Sequence, residues 1–184
     1  MTSNILNSEN SVLLIIDIQP RLLAAQPKGE KILKNTKKLA AAARLLNIKT
    51  IVTEQYPQGL GITDETLSVE LPSDTKTFEK KCFNCLEQPE LKEYLTALGK
   101  KQIILCGVET HICVHQTAAA LINEGFEVHI IEDACGSRDK FEHKLGLKRM
   151  MNDGASPSSV EIALFELLKN ASHPKFKEVQ SLIK

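Results

Sequence analysis

No charge of either sign dominates this sequence: 23 Lys and Arg stand against 23 Asp and Glu, with no long basic run. That balance argues against nucleic acid and against an anionic membrane surface, both of which call for clustered cations. Also missing is any apolar run near the ~18 residues that span a bilayer. The opening MTSNILNSEN is polar, without a charged segment leading into an apolar one, so no secretory signal is read. Internal repeats, low-complexity tracts and linkers are absent too. Cysteines are few and odd in number, at 82, 85, 106, 113 and 135. In a chain of this size with no export signal they read as free thiols in a reducing, cytoplasmic setting.

What is present suits one domain over residues 1–184. Hydrophobic residues make up 42% and charged residues 25%, near the average of soluble globular proteins, which allows a sizeable core. Continuous apolar runs such as SVLLIID at 11–17 predict strands buried on both faces. Further strands are expected at 49–53, 77–80, 102–106 and 127–132, and a last short one at 159–160. Helical spacing predicts helices over 29–46, 89–98, 111–124, 139–152, 161–170 and 174–183. Residues 54–75 hold two Pro and two Gly with no clear period, as in a long functional loop with room for a short helical turn. Strands alternating with helices imply an α/β fold, an open and mostly parallel sheet with helices on both faces.

Ligands of such sheets bind beyond the carboxyl ends of the strands. Asp17 ends the first strand, Lys80 ends the third, and Cys113 follows the fourth by one turn. A thiol in the first turn of a helix feels the positive end of the helix dipole, which favours thiolate. Asp17 could accept its proton and pass it to a leaving group, while Lys80 holds Asp17 ionised and oriented. These three suffice for acyl transfer. The bland readings are a filler Cys, a turn Asp and a solvated Lys. Two other classes compete: a thiol-based redox protein, and a non-catalytic binding module of flavodoxin-like topology. Cys82-Phe83-Asn84-Cys85 is a lone C-x-x-C pair, short of the four ligands of a structural zinc.

Four stretches, DIQPRLL at 17–23, TEQYPQGLG at 53–61, FEKKCFNC at 78–85 and CGVETHICVHQTA at 106–118, resemble the isochorismatase-like cysteine hydrolases. The likeness runs from about Ser11 to Leu168, is most specific in GVETHICV, and is closest to a branch with the TEQYPxGLG loop. It implies a six-stranded parallel sheet of Rossmann-like order and an Asp17–Lys80–Cys113 triad, with Lys80 rather than Lys81. It also implies a cis peptide between Val108 and Glu109, with the Glu109 and Cys113 N–H groups as an oxyanion hole. Nicotinamidases of this superfamily carry an Asp-x-His metal motif where this chain has Glu54-Gln55-Tyr56. The histidines at 111, 115, 129, 143 and 173 supply no substitute cluster, so neither metal nor other cofactor is expected. The cysteine favours amide or related acyl chemistry on a small-molecule substrate. Gln19, Tyr56 and Phe83 each follow a strand end near the triad and are candidates for the pocket wall. Family habit implies a homo-oligomer.

Overall fold

The computed structural model describes residues 5–184. Six parallel strands form one sheet in the order β3-β2-β1-β4-β5-β6. They are β1 (Ser11–Ile16), β2 (Lys49–Gln55), β3 (Lys76–Lys80), β4 (Gln102–Val108), β5 (Glu127–Gly136) and β6 (Ser156–Ser158). Position in the sheet explains composition. Central β1, SVLLII, is buried along its whole length, and each fully buried Leu or Ile contributes about 1.5–3 kcal/mol. Edge strand β3, KTFEK, is largely exposed until Lys80, and its charged residues discourage pairing with another chain.

The helices are α1 (Pro20–Ala24), α2 (Gly29–Leu45), α3 (Pro57–Leu60), α4 (Glu65–Ser68), α5 (Pro89–Ala97), α6 (His115–Asn123), α7 (Lys140–Asn152), α8 (Val160–Leu168) and α9 (Phe176–Ser181). They cover both faces of the sheet, α2 packing with α8 and α9, and α6 with α7. Helix α2 turns Ile32, Leu39 and a run of four alanines from Ala40 inward, and those small residues let it lie close to the strands.

Three expectations need correction. The last strand is Ser156–Ser158 rather than 159–160, because the Ser159 hydroxyl caps α8 by accepting from Ile162 N at 3.3 Å. The 54–75 segment holds two short helical turns where one was expected within the loop. It folds into α3 and α4, the latter capped by the Asp64 carboxylate, which accepts from Thr66 and Leu67 N–H groups. The helix expected from 111 begins with a π-helical turn, Thr110–Val114, that runs into α6. In addition, β5 runs on to Gly136 through a register shift opposite Leu105 and Gly107. Gly107 has φ +129°, and a Cβ there would stand 2.1 Å from the Ile16 carbonyl oxygen. Only glycine lets the end of β4 close against the end of β1, which brings Asp17 beside the turn that carries Cys113.

Candidate active site

Three segments meet at the carboxyl end of the sheet. Asp17 follows β1 in a left-handed conformation, φ 55°, which Asp tolerates better than most residues. Its amide donates to the Thr53 carbonyl at 3.2 Å, and the Thr53 hydroxyl donates to its Oδ1 at 2.6 Å. Lys80 closes β3, and its Nζ lies 2.7 Å from Asp17 Oδ2, with both side chains wholly buried. The same ammonium donates to Gln55 Oε1 at 2.7 Å and reaches the Cys82 carbonyl at 3.5 Å and Cys113 Sγ at 3.7 Å. Asp17, Lys80 and Cys113, distant in sequence, thus share one buried cluster.

Electrostatics sets the protonation of that cluster. Burial alone would lower the Lys80 pKa, but facing Asp17, Cys85 and Cys113 outweighs it, and the net shift is upward. Lys80 is therefore a firm cation. Burial raises the Cys113 thiol well above the ordinary range; the charge of Asp17 and a hydrogen bond to it raise it further, and Lys80 only partly offsets them. The expectation of a helix-favoured thiolate is thus corrected. Cys113 sits inside a π-helical turn, 6% exposed, where burial and the Asp17 charge favour the thiol. Cys85, deeper still, is pushed up to about 12, mainly by burial.

The turn before Cys113 is tied down on two sides. The Val108–Glu109 peptide is cis. The Glu109 carboxylate accepts from Arg138 N at 2.9 Å and from Gln26 Nε2 at 3.3 Å. Its carbonyl accepts from the Ile112 and Val114 N–H groups.

The pocket candidates fall out differently. Gln19 is wholly buried. Its Nε2 donates to the carbonyls of Gln55 and Gly61, and its Oε1 accepts from Gln55 N at 2.8 Å. That amide is committed to clamping the 55–61 segment to the end of β1, which leaves it no group for a ligand. Tyr56 is 46% and Phe83 51% exposed. Tyr56 lines a 410 Å³ cleft with Lys80, Lys81 and Cys82, whereas Phe83, Asp17 and Cys113 do not line it. A larger cleft of 890 Å³ lies at the opposite end of the sheet, between Ile5, Gln102 and Phe165.

Sequence reasoning missed Thr53 and Gln55, which hold Asp17 and Lys80. The available signal was TEQ at the end of a strand that lies between the strands of Asp17 and Lys80. Glu54 is buried, and its Oε1 accepts from both the N–H and the hydroxyl of Thr63, each at 2.7 Å. Among the described residues no group of three or more His, Cys, Asp or Glu gathers in a way that could hold a metal ion. No helix among them is long and apolar enough to cross a membrane.

Comparison with known proteins places this geometry. The family model described as isochorismatase domain matches residues 11–162. Isochorismatase domain-containing protein 2 of Xenopus laevis is 37% identical over 179 residues, covering 97% of this chain and 85% of the relative. The solved MAR1 ribonuclease of Caenorhabditis elegans superposes with a TM-score of 0.92 at 38% identity, covering 97% of this chain and 91% of that one. YcaC from Pseudomonas aeruginosa, solved with hexane-2,5-diol and covalent acrylamide, gives 0.90 at 25% identity, covering 99% and 93%.

Proposed function

The chain belongs to the isochorismatase family, and from that premise we propose that it is a metal-independent cysteine hydrolase of a small amide or related acyl compound. The observation that carries the reading is the Lys80 ammonium, set 2.7 Å from the Asp17 carboxylate and 3.7 Å from the Cys113 sulfur. Because the thiol rests protonated, attack on a carbonyl is coupled to transfer of its proton to Asp17. Lys80 stabilises the negative charge as it forms on sulfur. The tetrahedral oxyanion is taken up by the Glu109 and Cys113 N–H groups. Collapse breaks the C–N bond, and Asp17 returns its proton to the departing amine. A water, deprotonated by Asp17, then opens the thioester, and the proton goes back to sulfur as the acid leaves. Gln55 is bonded to Lys80 and Lys81, and Glu54 Oε1 to Thr63, so the residues standing where the metal motif would lie serve structural bonds.

The covalent acrylamide of the Pseudomonas relative supports a nucleophilic side chain in this fold, since acrylamide adds to nucleophiles through its alkene and keeps its amide. The Caenorhabditis relative is named a ribonuclease, but equal numbers of cations and anions here favour a small molecule over RNA. A peroxide-sensing thiol is the weaker reading, because it gives no role to the buried Asp17–Lys80 pair set beside the sulfur. Phe141 and Leu145, exposed one turn apart on α7, support a homo-oligomer.

The test is a panel of small saturated amides, with mass spectrometry for an acyl adduct on Cys113. Turnover is expected to vanish in Cys113→Ala while the fold persists. Full turnover by that variant overturns the mechanism.

A further inference from the structure

We infer that Gln55 is a positioning residue, whose side-chain carbonyl fixes the rotation of the Lys80 ammonium and so aims its remaining N–H at the Cys113 sulfur. The inference rests on the hydrolase reading, but it concerns the reactivity of the thiol and is tested there.

An ammonium has three N–H donors and no acceptor. Asp17 Oδ2 and Gln55 Oε1 take two of them, each at 2.7 Å. Both bonds are short and charge-assisted, and two such bonds leave the group no freedom to turn. The third N–H is left for the side where Cys82 O lies at 3.5 Å and Cys113 Sγ at 3.7 Å. Remove Gln55 Oε1, and the ammonium can swing away from sulfur while keeping Asp17.

Gln55 is itself held at several points. It is the register partner of Lys80 in the parallel pairing of β2 and β3. Its backbone N–H and carbonyl are both bonded to Gln19, at 2.8 and 3.0 Å. Its Nε2 donates to the Lys81 carbonyl at 2.9 Å, which fixes the sense of the amide, oxygen toward the ammonium and nitrogen away. Neutrality matters as well. A carboxylate here would compete with Asp17 for Lys80 and add a second anion near the sulfur. The charged and titratable groups that act on Cys113 are Asp17 after β1, Lys80 on β3 and Cys85 beyond it, and Gln55 touches the only cation among these.

Alkylation by iodoacetamide, followed cysteine by cysteine with mass spectrometry on the full chain, reads the thiolate fraction at Cys113. Gln55→Met is expected to slow Cys113 alkylation about tenfold at about pH 8, the effect of roughly one pKa unit. Lys80→Met should slow it further. Gln55→Glu, which keeps the shape of the side chain, should also slow it. A merely structural Gln55 would change thermal stability and leave these rates alone. An unchanged or faster rate in both Gln55 variants overturns the inference. Misfolding of Gln55→Met would reveal itself by alkylation of buried Cys106 and Cys135, and the decision then rests with Gln55→Glu. Failure of the hydrolase reading looks different: slowed alkylation in the variants, with no amide turned over by the parent.

Discussion

The two ends of the sheet are each organised by one buried polar side chain, and they are organised in opposite ways. At the amino end Gln102, nearly inaccessible, donates to the Ile5 carbonyl and Glu127 Oε2, and accepts from Asn7 N and Ser11 Oγ. At the carboxyl end Lys80 donates to Asp17, Gln55 and, more weakly, toward Cys113. Both hubs are satisfied, as buried polar groups must be. One hub centres on a neutral amide, which has no proton of its own to exchange. The other joins a cation, a carboxylate and a thiol, whose protonation states depend on one another. The roomier cleft, 890 Å³, sits at the neutral end, so cavity size and chemical capability part company in this molecule.

If that contrast is right, breaking the charged hub costs most. Lys80→Met leaves the Asp17 carboxylate buried without its counter-charge, a loss of about 3–5 kcal/mol. Urea denaturation should show it, with turnover of any amide found by screening abolished. Adding Asp17→Asn, which removes the orphaned charge and suits the left-handed backbone, should recover part of that stability and none of the activity. A double variant no more stable than Lys80→Met would remove the charge from the explanation.

The neutral hub should yield less. Gln102→Ala strips the acceptor from Asn7 N, while the Ser11 hydroxyl keeps the Asn7 carbonyl, at a cost of about 1–3 kcal/mol for a buried unsatisfied group, with unchanged kcat and KM. A fall in kcat would mean that the two ends are coupled, and the comparison would lose its force.

The same contrast explains what could be read from the sequence. β1 and β4 announce themselves as unbroken apolar runs, and Asp17, Lys80 and Cys113 lie beside those runs or within distinctive motifs. Their meeting follows from strand order alone. Thr53 and Gln55 were opaque because their roles depend on the lateral register of β2 against β1 and β3, which no single stretch encodes. The helices α1, α3 and α4 are one turn or little more, too short for a periodic signal, and SPS of β6 has no apolar pattern at all. The state of Cys113 also escaped, since helix-end logic pointed to thiolate while burial and Asp17 decide for thiol.

The smallest effect isolates burial from charge. Cys85 lies in the charged cluster, and burial, only partly offset by Lys80, lifts its thiol from 9.0 to about 12. In the unfolded chain that thiol ionises near 9, while in the folded chain it keeps its proton. Above pH 9 the unfolded state therefore binds fewer protons, and stability falls as pH rises. Lys80, also raised, acts in the same direction at higher pH, because its contribution is lost only as its folded pKa is passed. Between about pH 9 and 10 the Cys85 share of that loss is about 1 kcal/mol. Cys85→Ala should flatten the alkaline decline by that amount, whatever it does to stability at neutral pH. The slope is read within each variant, so the lost packing of the sulfur cancels. An identical slope in parent and variant would mean that the Lys80 charge already lets Cys85 ionise in the folded state, and the charged hub would then reach one side chain further than its hydrogen bonds indicate.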